Sequence, residues 1–510
     1  MKKIILLNIM LFFVFKVTSQ TPNIDWIKCF GGTDSDEGIV AKQTSDGGFI
    51  IIGNASSIDG DLIDPANSVD FWVLKLNATG TIQWQKTLGS LNTDSAHDIE
   101  QTSDGGYIFV GTVGNSDGDV IGSYGSQIWV VKINSFGVIT WQKTLGGTYE
   151  EIGYCIKQTS DGGYIIAGSN NSNDGDVTGN NGFTDAWIIK LNSTGALQWQ
   201  KSYGGTQFDA AYSIKQTSDG GYIVAAYTGS NNGNVTNFHG FYDVWILKLN
   251  SVGNLIWQKT LGGSFQDIAN DIQITDDGGY IIAGGTGSND GDVFGQHGGF
   301  DAWVVKLNSL GIIQWQKAVG GSSGDTAYSV SQTNDGGYII CGDTVSNDGD
   351  VIGNNINGDG WIFKLNSFGI LQWQKSIGDV FIDGFKSVQQ TNDNGFILAG
   401  NTSSSNFEGV STHGSNDYLI VKLSAETLEN EDFIDNSLLI YPNPVTNFFI
   451  INSSNYIVKN IKIIDLNGKT IEELKYKSDT VDISKIPSGI YIIDLEIEGH
   501  DNLKQKIIKK

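Results

Sequence analysis

The sequence predicts an all-β chain, and three observations carry that prediction. The first is a period. A turn of the form Asp-Gly-Gly recurs with its first glycine at Gly47, Gly105, Gly162, Gly220, Gly278 and Gly336. A seventh copy has Asn394 in that place, before Gly395, and the spacing is 57 or 58 residues throughout. The second is the content of each unit: four short segments rich in β-branched and aromatic residues, separated by turn residues. The third is how the array ends. The seventh unit stops after its third strand, Tyr418 to Leu423, and a matching fourth strand stands at the other end, in Ile24-Asp25-Trp26-Ile27-Lys28. A linear stack has no reason to divide a unit this way, whereas a ring closes by it and leaves little exposed edge. The expected architecture is a seven-bladed β-propeller of four-stranded blades over 20–423, closed by the N-terminal strand, followed by a small Ig-like β-sandwich.

The strands of one unit follow in order. Ala211 to Thr217 is a first strand of mixed burial, and Asp219-Gly220-Gly221 is a hairpin turn. Tyr222 to Ala226 reads as a buried second strand. A polar loop leads to the third, Val244 to Leu249; Asn250-Ser251-Val252-Gly253 turns the chain into the fourth, Leu255 to Lys259. A sheet of this kind must stack on its neighbours to bury both faces. Tryptophan keeps the same phase. The fourth strands carry Trp26, Trp84, Trp141, Trp199, Trp257, Trp315 and Trp373; the third strands carry Trp72, Trp129, Trp187, Trp245, Trp303 and Trp361, with Tyr418 in the seventh. A Trp at every equivalent position points to packing between sheets, with sugar stacking on exposed rings as the alternative.

Composition narrows the function classes. Of 510 residues 67 are Gly and 5 are Pro, without a collagen period, and the formal charge is −25. All 31 basic side chains are Lys. Without the bidentate fork of Arg, nucleic-acid and nucleotide binding are disfavoured. Cys29, Cys155 and Cys341 fall in strands of different units and read as buried apolar residues. The five His are scattered. Residues 1–19 have the charged start, apolar run and small residues of a signal peptide, with cleavage expected after Ser19. The apolar run is too short for a transmembrane anchor.

In four-stranded blades the Asp-Gly-Gly and Asn-Ser-x-Gly turns share one face. The long loop between strands two and three and the blade-to-blade connection share the other, and that face is acidic. The long loops carry Asp59/Asp61, Asp117/Asp119, Asp174/Asp176, Asp290/Asp292 and Asp348/Asp350. Blade four has Asn232/Asn234, and blade seven departs to Asn406-Phe407-Glu408. Each connection holds an acid: Asp36, Asp94, Glu151, Asp209, Asp267, Asp325 and Asp383. A third acid precedes the third strand at Asp70, Asp185, Asp243, Asp301, Asp359 and Asp417, with Gln127 in blade two. Carboxylates two residues apart on a Gly-containing loop are candidate calcium ligands, so the ten paired Asp are the candidate metal residues. The competing reading is turn chemistry, in which Asp and Asn accept nearby backbone N–H groups. For the connection acids the expectation is a structural bond to the Gly-Gly turn or a neighbouring blade. A glycosidase pair is disfavoured, because the pairs recur in almost every blade and a catalytic site should break symmetry.

The repeat D-A-W-x-x-K-L-N-x-x-G, followed by Q-W-Q-K-x-x-G-G and D-G-G-Y-I, resembles the bacterial SBBP-type β-propeller repeats common in exported proteins. That resemblance covers about 400 residues and speaks to fold, not function. Ser424 to Asn436 is an acidic linker. Residues 437–510 then lose the period and read as strands at 438–441, 448–452, 461–465, 480–483, 490–495 and 505–508. This module has ten Lys against nine acids, whereas 20–436 has 18 Lys against 47 acids. Tyr441-Pro442-Asn443-Pro444, Ile464-Asp465-Leu466-Asn467-Gly468-Lys469, Ile483, Ile486-Pro487-Ser488-Gly489-Ile490-Tyr491 and the basic end Lys504 to Lys510 resemble the type A C-terminal sorting domain of the type IX secretion system of Bacteroidetes. The resemblance implies passage from the periplasm across the outer membrane, removal of the domain by a sortase-like peptidase, and cargo released or tethered at the surface. The expected molecule is an exported, non-enzymatic propeller whose acidic loop face binds a glycan, protein or cation. The alternatives are a polysaccharide- or protein-degrading enzyme on the same scaffold and a purely structural surface protein. Near-identical residues are expected all round the ring.

Overall fold

The computed structural model describes residues 21–426, except 65, 67, 124, 356, 405 and 408, and residues 438–510, except 442–443, 454–456, 466–468 and 498–502. The expected signal peptide and most of the linker lie outside these residues. The chain divides into two units, with the boundary between Thr427 and Leu428.

The first unit is built of seven four-stranded antiparallel sheets. In the first blade Asp36–Gln43, Phe49–Ala55, Asp70–Leu76 and Ile82–Leu88 pair in that order. Blades two to six repeat it. The seventh pairs Asp383–Gln390, Phe396–Thr402 and Asp417–Leu423, and its fourth strand is Ile24–Phe30, with Ile27 opposite Val421 and Phe30 opposite Tyr418. The ring is therefore closed by the N-terminal strand. The seam between blades seven and one is bonded like the others: Ala41 N donates to Ser387 Oγ at 3.0 Å and Gln43 N to Gln389 Oε1 at 2.8 Å.

The third strands explain the packing. All seven are buried along their length. Their six tryptophans are at most 1% exposed, and each indole N–H donates to the Gln that follows the fourth-strand Trp, as in Trp72 to Gln85 at 2.9 Å and Trp187 to Gln200 at 2.7 Å. The burial of a large ring and the satisfaction of its one donor thus come from the same pair of strands. Fourth-strand tryptophans lie edge-on to the Tyr or Phe that opens the second strand of the next blade, as Trp84 does to Tyr107 at 5.9 Å. All three cysteines are free and buried.

Two regular devices escaped sequence reasoning. The Lys of each third strand is buried, and its ammonium reaches the Asp of the same blade's Asp-Gly-Gly turn. Lys75–Asp46, Lys132–Asp104, Lys190–Asp161, Lys248–Asp219, Lys306–Asp277, Lys364–Asp335 and Lys422–Asp393 all lie within 2.6–3.0 Å. Second, the Gln ending most first strands accepts a backbone N–H from the preceding blade. Examples are Ser160 N to Gln216 at 2.8 Å and, across the closure, Asn392 N to Gln43 at 2.8 Å.

Ser424 to Glu426, assigned to the linker from sequence, instead lie against the propeller. Ser424 N donates to Asn23 O at 2.9 Å, and Glu426 meets Lys364 at 3.2 Å and the Trp373 indole at 3.1 Å.

The second unit has two antiparallel sheets around one apolar core. Leu438–Tyr441, Phe448–Ser453 and Thr480–Asp482 form one; Thr470–Lys475, Val458–Asp465, Gly489–Ile497 and Leu503–Lys509 form the other. Phe449, Ile451, Ile463, Ile493 and Ile507 are fully buried between them. The strand Thr470–Lys475 was not expected. Its sequence, TIEELK, is half charged and largely exposed, as suits a sheet edge that must not recruit another strand.

Candidate functional site

The long loops and blade connections form one rim. Each loop folds back on the Gly-Gly turn before its own blade. The first Asp of each pair accepts the N–H that follows this turn: Asp59 from Thr33 at 2.8 Å, Asp117 from Leu91 at 2.7 Å, Asp174 from Thr148 at 2.8 Å, Asp290 from Ser264 at 2.7 Å and Asp348 from Ser322 at 2.7 Å. Asp61, Asp119, Asp176 and Asp292 reach the first glycine N–H of that turn at 3.2–3.4 Å. Asp350 lies 3.6 Å from Lys317 Nζ. Nine of the ten candidate metal residues are thus placed, blade by blade, as acceptors for their own turns. Among the described residues no group of three or more His, Cys, Asp or Glu side chains is arranged to hold a metal ion.

The connection acids are structural, as expected. Gly32 N donates to Asp36 at 2.8 Å, Gly147 N to Glu151 at 2.8 Å, Gly205 N to Asp209 at 2.9 Å and Gly321 N to Asp325 at 2.8 Å. The third acids are buried beside them. A Cβ on Gly204 would stand 2.4 Å from Asp185 Oδ1 and 2.6 Å from Asp209 Oδ2, so only glycine fits between the two carboxylates. One oxygen of Asp185 accepts Asn181 N at 3.0 Å; the other is buried without a hydrogen-bond partner. The same orphaned oxygen recurs at Asp243, Asp301, Asp359 and Asp417. Burial, with Asp209 adding to it, pushes the Asp185 carboxyl up to about 6, and Asp243, Asp301, Asp359 and Asp417 are raised for the same first reason. Blade two has Gln127 instead, whose Nε2 donates to Gly147 O at 3.0 Å.

The first strands surround a central cavity of about 520 Å³. In every blade a β-bulge falls on the fourth residue of that strand or, in blade two, its equivalent, with register shifts at Gly38/Val40, Ala96/Asp98, Gly153/Cys155 and onward. The bulged residues are Ile39, His97, Tyr154, Tyr212, Asn270, Tyr328 and Lys386, five residue types at seven equivalent positions. Near-identical residues all round the ring were expected; the channel contradicts that. A bulge locally frees a position from the ladder, so side chains there vary without cost to the sheet.

The channel charges are grouped. Asp98 accepts Lys42 Nζ at 3.1 Å, Ile156 N at 3.0 Å and Ile99 N at 2.9 Å, and it contacts Lys157 Nζ. Burial alone would raise its carboxyl, but Lys157 and Lys42 hold it well below the usual range. Asp271 accepts Ser213 Oγ at 2.8 Å, Ile272 N at 2.8 Å and Val330 N at 3.2 Å, with Lys215 at 3.5 Å. Lys386 pairs with Asp343 at 3.2 Å and sits 3.7 Å over the Tyr328 ring. Burial lowers His97 to about 4, which keeps it neutral. These carboxylates tie first strands of different blades together. They were findable as the positions where otherwise constant repeats disagree.

Residues 439–510 match the family model of the secretion system C-terminal sorting domain. The tail is a type IX sorting domain. It marks the chain for export by type IX secretion. No curated protein matches the chain. Among solved structures, a Bacteroides caccae protein of unknown function is 12% identical, over 67% of this chain and 94% of its own, with a TM-score of 0.35. The WD40 domain of Neurospora crassa Pan2 is 13% identical over 77% and 97%, with a TM-score of 0.40. PorZ of Porphyromonas gingivalis, an essential surface component of the type IX secretion system, is 10% identical over 94% and 75%, with a TM-score of 0.28. At these scores the architecture of the sorted cargo rests on its own strand order, and none of the three bears on its role.

Proposed function

We propose that the sorted cargo is a non-enzymatic binding protein that presents its loop rim to an extracellular ligand, after export with its signal peptide and removal of the sorting domain by a sortase-like peptidase. One observation carries the binding reading. The rim's loops are pinned to their own blades by the Asp and Asn acceptors, yet they hold large apolar side chains in water, among them Tyr149, Phe183, Phe241, Phe265 and Phe294, each more than 60% exposed. Rigid loops with exposed rings are the makings of a recognition surface. The channel, in contrast, spends its carboxylates on bonds between strands, which supports binding over catalysis. The second reading, an enzyme, is favoured by the one place where blades differ, the channel around Asp98, Asp271 and Lys386.

A panel of glycosidase, lyase and peptidase substrates tests the choice. No turnover is expected. Turnover that is lost in Asp98→Asn or Asp271→Asn, with the fold intact by circular dichroism, overturns the binding reading.

A further inference from the structure

Blade four interrupts the acidic rim. Its long loop, 229–242, contains no Asp or Glu, and the acids of the connections on either side, Asp209 and Asp267, are fully buried. The interruption is not a loosening of the fold. Asn232 Oδ1 accepts Thr206 N at 2.9 Å and Asn234 Oδ1 accepts Gly204 N at 3.2 Å, the bonds that Asp174 and Asp176 make in blade three. The turn acceptors are kept and the charges removed. A purely structural role would be served equally by Asp, as four other blades show.

The same sector gathers exposed rings. Phe183 and Phe208 stack at 5.4 Å with their planes 9° apart, and are 62% and 44% exposed. Phe241 and Phe265, one blade on, are 68% and 64% exposed. Between Phe208 and Phe241 in sequence the loop carries the exposed amides Asn232 and Asn237. Asn237 is held at φ 60, a left-handed conformation that blades two, three, five and six give to Gly122, Gly179, Gly295 and Gly353. Gly takes that conformation without strain, so an amide is present where the backbone asks for none. The apolar side chains exposed elsewhere on the rim are mostly aliphatic, such as Leu91, Ile121 and Ile352, with Tyr149, Phe294 and Phe381 as exceptions.

Flat rings in water and a blade-four loop that offers amides in place of formal charge suit a ligand with apolar C–H faces edged by hydroxyl groups. We infer that the sector of Phe183, Phe208, Phe241 and Phe265, with Asn232 and Asn237, binds a neutral polysaccharide chain. The inference rests on the binding reading above and gives it a ligand class. The ring faces take the sugar faces, and the amides supply both donors and acceptors to hydroxyls. An acidic polymer is repelled by the rest of the rim, and a basic partner would be drawn to the neighbouring blades instead.

The test is depletion of the full-length chain from solution by insoluble β-1,4-glucan, chitin, β-1,4-xylan and β-1,3-glucan. Retention on at least one is expected. The paired change Phe183→Ala with Phe208→Ala should weaken it about tenfold or more, as loss of a ring cluster at a binding centre does. Asn232→Asp with Asn234→Asp, which restores the sequence of the other blades and their turn acceptors, should weaken it by a smaller factor. Phe136→Ala with Phe368→Ala, on the opposite rim, should leave it unchanged and serves as the fold control. Retention on none of the four, or retention indifferent to the loss of Phe183 and Phe208, overturns the inference. A protease-sensitive target captured through these rings also overturns it, while leaving the binding reading standing.

Discussion

The two rims of the propeller hold their acids in opposite ways. On the turn rim each blade sets one Asp against one Lys whose ammonium is buried. On the loop rim most junctions set two buried acids side by side, and no Lys lies between them. The turn-rim acids are pulled down. Burial acts against it, but the Thr44 hydroxyl, the Gly48 N–H and Lys75 hold Asp46 at about 2, and Asp104, Asp161 and Asp277 are held there by the equivalent groups. The loop-rim acids are pushed up, Asp185 to about 6. Identical residue types at a fixed period are therefore shifted in opposite directions, and what separates them is the partner each rim supplies. A repeat that looks uniform in sequence is electrostatically two-sided.

The sharpest way to break the comparison is to take away one partner on the turn rim. Asp161→Ala leaves Lys190 buried with the Leu191 carbonyl at 2.9 Å and Gln198 at 3.1 Å as its remaining acceptors. Removing one member of such a pair costs more than removing both charges. Because Asp161 is half in water, we expect a loss of about 2 kcal/mol, below the range for fully buried pairs. Lys190→Met, which fills the same space and leaves Asp161 to solvent, should cost about 1 kcal/mol or less. Urea unfolding of both variants gives the contrast; equal losses would show that the ammonium gains nothing from the turn.

The loop rim should answer in the opposite sense. Asp185→Asn puts at the third blade the amide function that Gln127 already supplies at the second. Asp185 is fully buried, so raising its carboxyl from the ordinary range to about 6 corresponds to roughly 1–3 kcal/mol at neutral pH. The variant should be more stable than the parent at pH 8 by about that amount and no more stable at pH 4. The pH dependence of the parent follows from the signs. The raised loop-rim carboxyls contribute most below their ordinary values, and that contribution is lost as pH rises, through about 6 for Asp185. The lowered turn-rim carboxylates contribute above their ordinary values, and theirs is lost as pH falls toward about 2. Thermal unfolding from pH 2 to 9 should therefore show greatest stability near pH 4–5, with a shallower alkaline side in Asp185→Asn. A flat profile would mean that the orphaned oxygens are satisfied.

What the sequence revealed was whatever repeats and is local. Period, turns and the split unit fix a closed ring, because a strand missing at one end and spare at the other has one use. Trp187 reads as packing for the same reason. The Lys190–Asp161 pair was equally periodic but went unread: its two charges lie 29 residues apart, on a strand and a turn whose meeting depends on the second strand between them. The channel was hidden differently. Its side chains are the ones that do not repeat, so attention to the repeat discards them. In the tail, the Tyr441 and Pro487 motifs can be read, while Thr470–Lys475, a strand made edge-tolerant by charge, lacks the apolar pattern that marks the others.

Calcium is where the two rims should differ least. A hard cation needs several free oxygens at about 2.3–2.6 Å. The paired Asp of the loops, Asp350 excepted, each give an oxygen to an N–H of their own turn, and drawing them onto an ion would release the Gly-Gly connection they hold. Asn232 and Asn234 make the same bonds without charge, so those bonds do not need a cation to balance them. Millimolar calcium should accordingly shift the melting temperature of the full chain by less than about 1 °C, since an ion that binds the folded form raises it with concentration. A shift of several degrees, reversed by chelation and lost in Asp174→Asn with Asp176→Asn, would instead make the loop rim a metal-dependent surface, and its acids would then be ligands first and turn acceptors second.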